Sequence, residues 1–292
     1  MPRLSDVTAA LDTLWPRERA ESWDAVGPVC GDPDAEVRRV LFAVDPVAAV
    51  VDEAVGLGAD LLVTHHPLYL RGTTTVAADT FKGRVVHTLI RNGIALHVAH
   101  TNADRADPGV SDALAAALGL RVTGPLVPDP GDPAGRRGLG RVGELERPLS
   151  VAEFAELAAA RLPATAQGIR AAGPAGGPAV RTVAVCGGSG DSLFDAVRAA
   201  GVDAYLTADL RHHPASEAGE HSPLVLVDAA HWATEWPWCA QAAAQLDAVA
   251  DRAGWDLRTH VSHRVTDPWT VHRAAPSPHT TRAPGTTEGA PN

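Results

Sequence analysis

Cysteine, lysine and long apolar runs are what this 292-residue chain has little of. Its three cysteines, Cys30, Cys186 and Cys239, are odd in number, far apart and outside any C-x-x-C pair. That argues against a disulfide framework or a cysteine-rich zinc site and fits a reducing compartment. No stretch approaches the ~20 apolar residues of a membrane span. The opening residues MPRLSDVTAALDTLW space Leu4, Val7, Leu11 and Leu14 at helical intervals, unlike the unbroken apolar core of a signal peptide. The expectation is a soluble, cytoplasmic protein with no membrane partner. Basic residues are short as well: 25 Lys and Arg against 35 Asp and Glu leave a net charge of −10. A phosphate-backbone binder needs a concentrated basic surface, so nucleic acid is not an expected partner. Lys82 is the single lysine, which with the abundant alanine reads as base-composition bias.

What remains is globular. Apolar residues make up 45% and charged residues 21%, and the length suits about two domains of ~150 residues. Apolar runs at 39–44, 60–64 and 94–99 read as buried strands, with helices at 47–56, 81–91 and 109–119 between and after them. Residues 124–138 hold four glycines and four prolines and read as a loop or domain crossing. A strand near 139–145 and a helix at 150–161 follow. Alternation then resumes with strands at 180–186, 203–207 and 224–228, helices at 191–200 and 231–252, and a last strand within 255–263. This pattern predicts an α/β fold with mixed, largely parallel sheets. From about 273 the chain is Pro, Thr, Ser, Gly and Ala with little to bury, so 273–292 reads as a disordered tail.

Histidine is the residue that clusters, with 13 in the chain. One strand runs into His65-His66-Pro67, where proline stops a helical continuation. Adjacent strand side chains diverge by nearly a half-turn, so two neighbouring ions suit this pair better than one. A second strand ends in His97-Val98-Ala99-His100-Thr101-Asn102-Ala103-Asp104, and Asp104 can bridge two ions through its two oxygens. A third strand ends at Asp228, and His231 and Glu235 follow at i and i+4 on one helical face. Each segment alone has a plainer reading: strand-end polar residues, helix caps, or a helix-surface ion pair. Together they bring imidazoles and carboxylates to three strand ends, where ligand sites gather in open α/β sheets. Five donors, two of them able to bridge, suit two divalent ions ~3.5–4 Å apart. Imidazole and carboxylate admit zinc, iron, manganese, nickel or cobalt without choosing among them. His97, His100, His212 and His213 are read as holding ligands in place or facing substrate, and His97 or His100 as a candidate general acid. The turn Cys186-Gly187-Gly188-Ser189-Gly190 lacks the Lys-Ser/Thr of a nucleotide-binding P-loop and reads as a tight strand-to-helix turn.

These residues resemble the Nif-three-like family of dinuclear metal-centre hexamers, whose members are often labelled GTP cyclohydrolase type-two homologues. The resemblance rests on Trp23-Asp24-Ala25-Val26-Gly27, THHPL (64–68), HTNAD (100–104), GVSDALA (109–115), CGGSG (186–190), GVDAYLTADLRHH (201–213), DAAHWATE (228–235) and VTDPWT (265–270). It spans residues 3–272 in the same order. Ala208 and Ala230 stand where glycine is usual, Trp232 where tyrosine is common and Ser111 where asparagine is common. Carried over position by position, the resemblance implies metal ligation by His65, His66, Asp104, His231 and Glu235, the donors that spacing selects. It implies two interlaced α/β domains, with 1–124 and 225–272 forming the metal-binding one and 125–224 the second. It further implies a homohexamer with metal pairs facing an inner cavity, and two divalent ions per subunit. The activity implied is a GTP cyclohydrolase-type hydrolysis by metal-activated water, with a nucleotide or other small molecule as substrate. The alternative is a non-catalytic hexameric scaffold that stores, senses or delivers metal or docks regulatory partners.

Overall fold

Short apolar runs separated by amphipathic stretches build two mixed sheets in the computed structural model, which describes residues 1–173, 177 and 179–274. The first sheet contains β1 (Gly27–Cys30), β2 (Arg39–Ala43), β3 (Leu61–Thr64), β4 (Ala95–Val98) and β13 (Arg258–Val261), in the order β1-β4-β3-β2-β13. Only β1 runs antiparallel to its neighbour. β3 and β4 are buried along their whole length, which is why they read as unbroken apolar runs rather than alternating ones. Leu41, Leu62 and Leu96 face helices α2 (Ala48–Leu57) and α3 (Phe81–Arg91). Val40, Phe42, Leu61 and Val63 face the other way, onto α1 (Leu4–Leu14) and α9 (His231–Ala253).

The second sheet holds β5 (Arg121–Gly124), β8 (Arg141–Leu149), β9 (Arg170–Ala172), β10 (Val180–Ser189), β11 (Ala204–Ala208) and β12 (Val225–Ala229), ordered β5-β8-β10-β11-β12-β9. Its centre, β10-β11-β12, is parallel and the flanking strands are antiparallel. α5 (Val110–Ala117) and α6 (Val151–Arg161) cover one face, α7 (Phe194–Ala200) and α8 (His212–His221) the other. A single turn of helix, α4 (Thr101–Asp104), and a small ribbon, β6 (Val127–Pro128) with β7 (Gly138–Leu139), complete the order. The two layers interlock. α5 sends Val110 and Ala113 into the first core and Leu114 and Ala115 into the second. α9 starts where β12 ends, then packs on α5, β10, β2 and β13.

The expected strands and helices fall within a few residues of the observed ones, and the fold is the expected mixed α/β. The segment boundaries placed at 124/125 and 224/225 do not coincide with the sheets. β5 and β12 lie on the far side of those boundaries by sequence, yet both hydrogen-bond within the second sheet. Burial alone marks β12 as a central strand without saying which sheet receives it. β1, β9 and α8 escape a pattern reading for a local reason. β1 is a four-residue Gly-Pro-Val-Cys, β9 is exposed throughout, and α8 buries only Ala218. No helix among the described residues is long and apolar enough to cross a membrane. Beyond Ala274 the expected disordered tail lies outside the described residues.

Candidate metal centre

The carboxyl ends of parallel strands from both sheets converge on one point. His65 and His66 follow β3, and His100 and Asp104 follow β4. From the second sheet, His231 opens α9 just after β12, and Glu235 lies one turn further on. The divergence expected for adjacent strand residues does not occur at His65 and His66. β3 ends at Thr64 and the chain bends, so their ring centres stand 5.2 Å apart and turn to the same centre.

Each imidazole is oriented from behind through Nδ1. His65 Nδ1 donates to the Ala99 carbonyl at 2.9 Å, His66 Nδ1 to Asp45 at 2.7 Å, and His231 Nδ1 to Asp209 at 2.6 Å. His100 Nδ1 donates to Asp24 at 2.9 Å, and Asp24 also accepts from the Thr101 amide and hydroxyl. With Nδ1 fixed as a donor, Nε2 is the atom left facing the site, where a metal ion would take the place of its proton. The Nε2 atoms of His65, His66 and His231 gather around Glu235. Oε2 of Glu235 lies 3.0 Å from His66, while Oε1 lies 3.0 Å from His231 and 3.5 Å from His65. Asp104 Oδ1 stands 3.8 Å from His65 Nε2. Donors about 2.1 Å from one ion stand about 3.0–3.4 Å apart at right-angled or tetrahedral geometry, so the His66 and His231 separations from Glu235 suit a shared cation, while Asp104 stands wider. His65 Nε2 and Glu235 Oε2 are buried without a hydrogen-bond partner, although their neighbours are close. Among the described residues, two sets of side chains are close enough to hold an ion: His65, His66 and His100, and His66, His231 and Glu235.

The electrostatics point the same way. Burial opposes charge on His66 and His231, but Glu235 with Asp45 and Asp209 outweighs it, holding the two pKa values up at about 10 and about 11. Glu235 is also penalised by burial, yet the three surrounding imidazoles keep its carboxyl well below the usual range. Asp104 moves in the opposite sense, because burial prevails over the more distant His65. Protons are retained here because the carboxylates Asp45, Asp104, Asp209 and Glu235 make the site attract positive charge.

A cavity of about 350 Å³ opens beside these groups, lined by Trp23, His100, Asp104, Gly188, His231 and Glu235 among others. Its wall is the end of β10, where the expected tight turn at Cys186–Gly190 is instead strand to Ser189 with a shifted register against β11, and Gly188 lies against Glu235. Gly188 has φ +69°, and a Cβ there would come within 2.4 Å of Glu235 Oε1, so only glycine fits. The Gly188 amide donates to Thr234 Oγ1 at 2.9 Å, fixing the end of β10 to α9. Burial raises the Cys186 thiol to about 12, so it is no nucleophile in this wall. A larger hollow of about 650 Å³ beside α8 and β9 shares no lining residue with this one.

Of the side chains singled out by sequence, His65, His66, His100, Asp104, His231 and Glu235 come together. His97 does not. It lies on β4 with its ring buried near Asp12 and Arg17, so the role of general acid expected for it has no support in the geometry. His212 and His213 are exposed at the start of α8, outside the cavity. Asp228 serves the fold, accepting from the Leu210 amide at 3.0 Å and from Arg170, and Asn102 donates to the Trp15 carbonyl at 2.7 Å. The residues missed are Asp24, Asp45 and Asp209, which aim the imidazoles. Asp45 and Asp209 each follow the carboxyl end of a parallel strand, the position that singled out His65, so the signal was present.

Known proteins share this arrangement of chain. A "GTP cyclohydrolase 1 type 2 homolog" of Streptomyces coelicolor is 78% identical over 275 residues, covering 94% of this chain and 96% of its own. A protein of the same description from Mycobacterium bovis is 39% identical, with 92% and 97% covered. Among solved structures, a Bacillus cereus protein related to NIF3 superposes with a TM-score of 0.85 at 25% identity, covering 93% of this chain and 99% of its own. A hypothetical protein of Staphylococcus aureus does so at 0.84 and 26%, with 92% and 99% covered. The family model Duf34/NIF3 (NGG1p interacting factor 3) matches residues 2–268. The chain therefore belongs to the Duf34/NIF3 family.

Proposed function

We propose that this protein holds two divalent metal ions through His65, His66, Asp104, His231 and Glu235 and is a metal-dependent hydrolase of GTP cyclohydrolase type. The observation that carries the reading is the set of imidazoles whose Nδ1 atoms are engaged behind them while their Nε2 atoms converge on a buried Glu235. The two oxygens of Glu235 face different imidazoles, which suits a carboxylate shared between two ions. Bound ions would supply Lewis acidity and a water deprotonated at neutral pH. The protein's own part is to orient and to exclude. Asp24 holds the His100 ring at the cavity wall, where His100 can pass a proton to a leaving group. Trp23 and the Gly187–Gly188 backbone bound the space left for a substrate of small-molecule size. The names of the relatives support a nucleotide such as GTP as the first substrate to try. The assembly proposed with this reading is a cytoplasmic homohexamer. Phe81, Ile90, Trp269 and Val271, all more than half exposed, are apolar surface available to subunit contacts.

The test is metal analysis of protein purified without added metal, followed by a panel of GTP and phosphoesters after chelation and reloading with Mn, Zn, Fe or Co. Two ions per chain and turnover that disappears on chelation are expected. Metal binding with no turnover across the panel would favour the non-catalytic scaffold, and absence of metal binding would overturn both. Light scattering checks the hexamer.

A further inference from the structure

The motif Val265-Thr266-Asp267-Pro268-Trp269-Thr270 has no place in the site as described so far, yet it returns to it. After β13 the chain is anchored at several points. The Ser262 amide donates to the Phe42 carbonyl at 2.8 Å, its hydroxyl to Glu53 at 2.7 Å, and Trp236 Nε1 donates to the Ser262 carbonyl at 2.8 Å. Asp267 is 9% exposed, so the segment is pinned at that residue although Val265 and Trp269 on either side stay exposed. Between these anchors Thr266 Oγ1 donates to Oδ2 of Asp45, whose Oδ1 accepts from His66 Nδ1.

The three backed imidazoles among the proposed ligands are therefore held in different ways. His65 leans on a backbone carbonyl, which the sheet makes rigid. His231 leans on Asp209, whose backbone is pinned where the next residue, Leu210, donates to Asp228. His66 leans on a carboxylate that has one oxygen committed to the ring and the other to a hydroxyl 221 residues away. A carboxylate with one contact can swing about its last torsion and take the imidazole with it, whereas one with both oxygens engaged cannot. We infer that Thr266 is a positioning residue of the metal centre, acting through Asp45 to aim His66 Nε2. This rests on the metal-binding reading above.

The experiment is a titration of metal-stripped protein with Zn²⁺ and Co²⁺ in competition with a chromophoric chelator, on wild type, Thr266→Val and Thr266→Ser. Valine keeps the shape and removes the donor, and serine restores the donor. For Thr266→Val, affinity for one metal equivalent is expected to fall 10–100-fold, the usual effect of losing a partner behind a ligand. The Co²⁺ absorption spectrum should change with it, and Thr266→Ser should return both towards wild type. The melting temperature of the metal-free protein should move little, because a single part-buried hydrogen bond is lost. If valine disturbs packing, Thr266→Ala gives the same comparison. Wild-type affinity and spectrum in Thr266→Val, or a loss that serine does not rescue, would overturn the role of Thr266 and leave the metal centre standing. Wild type that binds neither ion would overturn the centre itself.

Discussion

Glu235 stands where three imidazoles converge, and its charge is what they share. Glu235→Gln keeps the shape and replaces a charged oxygen by an amide, removing the charge that would offset the two proposed dications at close range. The variant should fold and keep its circular dichroism, yet hold one metal fewer by elemental analysis; two tightly held ions would make Glu235 a bystander. Gly188→Ala approaches the same carboxylate from the other side. Its φ of +69° and the 2.4 Å approach to Glu235 Oε1 leave no room for a methyl group. Metal content should fall with a stability loss of about 1–2 kcal/mol from backbone strain alone, read in denaturant melts. His97 makes a different prediction because it is buried away from the centre. Burial pushes its pKa from the usual 6.5 to about 4, so the folded state refuses a proton that the unfolded chain accepts. Its neutral form is no burden above pH 6.5, and stability is lost as pH falls from there towards 4, by up to about 3 kcal/mol. His97→Leu should flatten that part of the stability curve, measured by denaturant unfolding between pH 4 and 7. An unchanged slope would place the acid sensitivity elsewhere.

At the scale of elements, α9 does two jobs. Its first turn delivers His231 and Glu235 at helical spacing, and its length carries Trp238, Cys239, Ala242 and Leu246 into the core of the first sheet. Trp238 links the two, with its ring 5.3 Å from His65 and 5.2 Å from Trp15. Trp238→Ala should therefore cost about 3–5 kcal/mol, as for large aromatic truncations in a core, and loosen His65 as well. Calorimetry would show the stability loss and a metal titration the weakened site. Full stability in this variant would mean that the Trp238 pocket collapses without cost. The helical spacing of α9 was plain in the sequence, as were β2, β3 and β4, because long apolar patterns repeat within a few residues. β9 and α8 were not, since an exposed strand and a helix with one buried alanine carry no such pattern.

On the scale of the whole molecule, the centre sits across the junction of the two layers. His65, His66 and Asp104 come from the first, and Gly188 at the end of β10, Asp209 and the start of α9 come from the second. A ligand that binds only this assembled arrangement stabilises it by mass action, about 2.7 kcal/mol at a hundredfold excess over Kd. The melting temperature should therefore rise by roughly 5 °C between chelated and metal-saturated protein, and should rise with metal concentration. A melting temperature indifferent to Zn²⁺, Mn²⁺ and Co²⁺ would mean that the junction does not depend on bound metal.

The α/β alternation and the six side chains that meet at the site are legible in the sequence alone, because both follow from residue type and short-range spacing. A strand ending in His-His and a helix opening His-x-x-x-Glu carry their chemistry within one or two turns of chain. Tertiary structure decided the rest. Asp24 reaches His100 across 76 residues, Asp45 reaches His66 across 21 and Asp209 reaches His231 across 22. It also excluded His97, whose strand-end position resembles that of His100 but whose ring packs elsewhere, and it gave β12 to the second sheet rather than the first. The physical reason is common to all of these. Spacing rules act along the chain over a few residues, whereas the partner of a buried polar atom is chosen by whichever distant segment packing brings within about 3 Å of it.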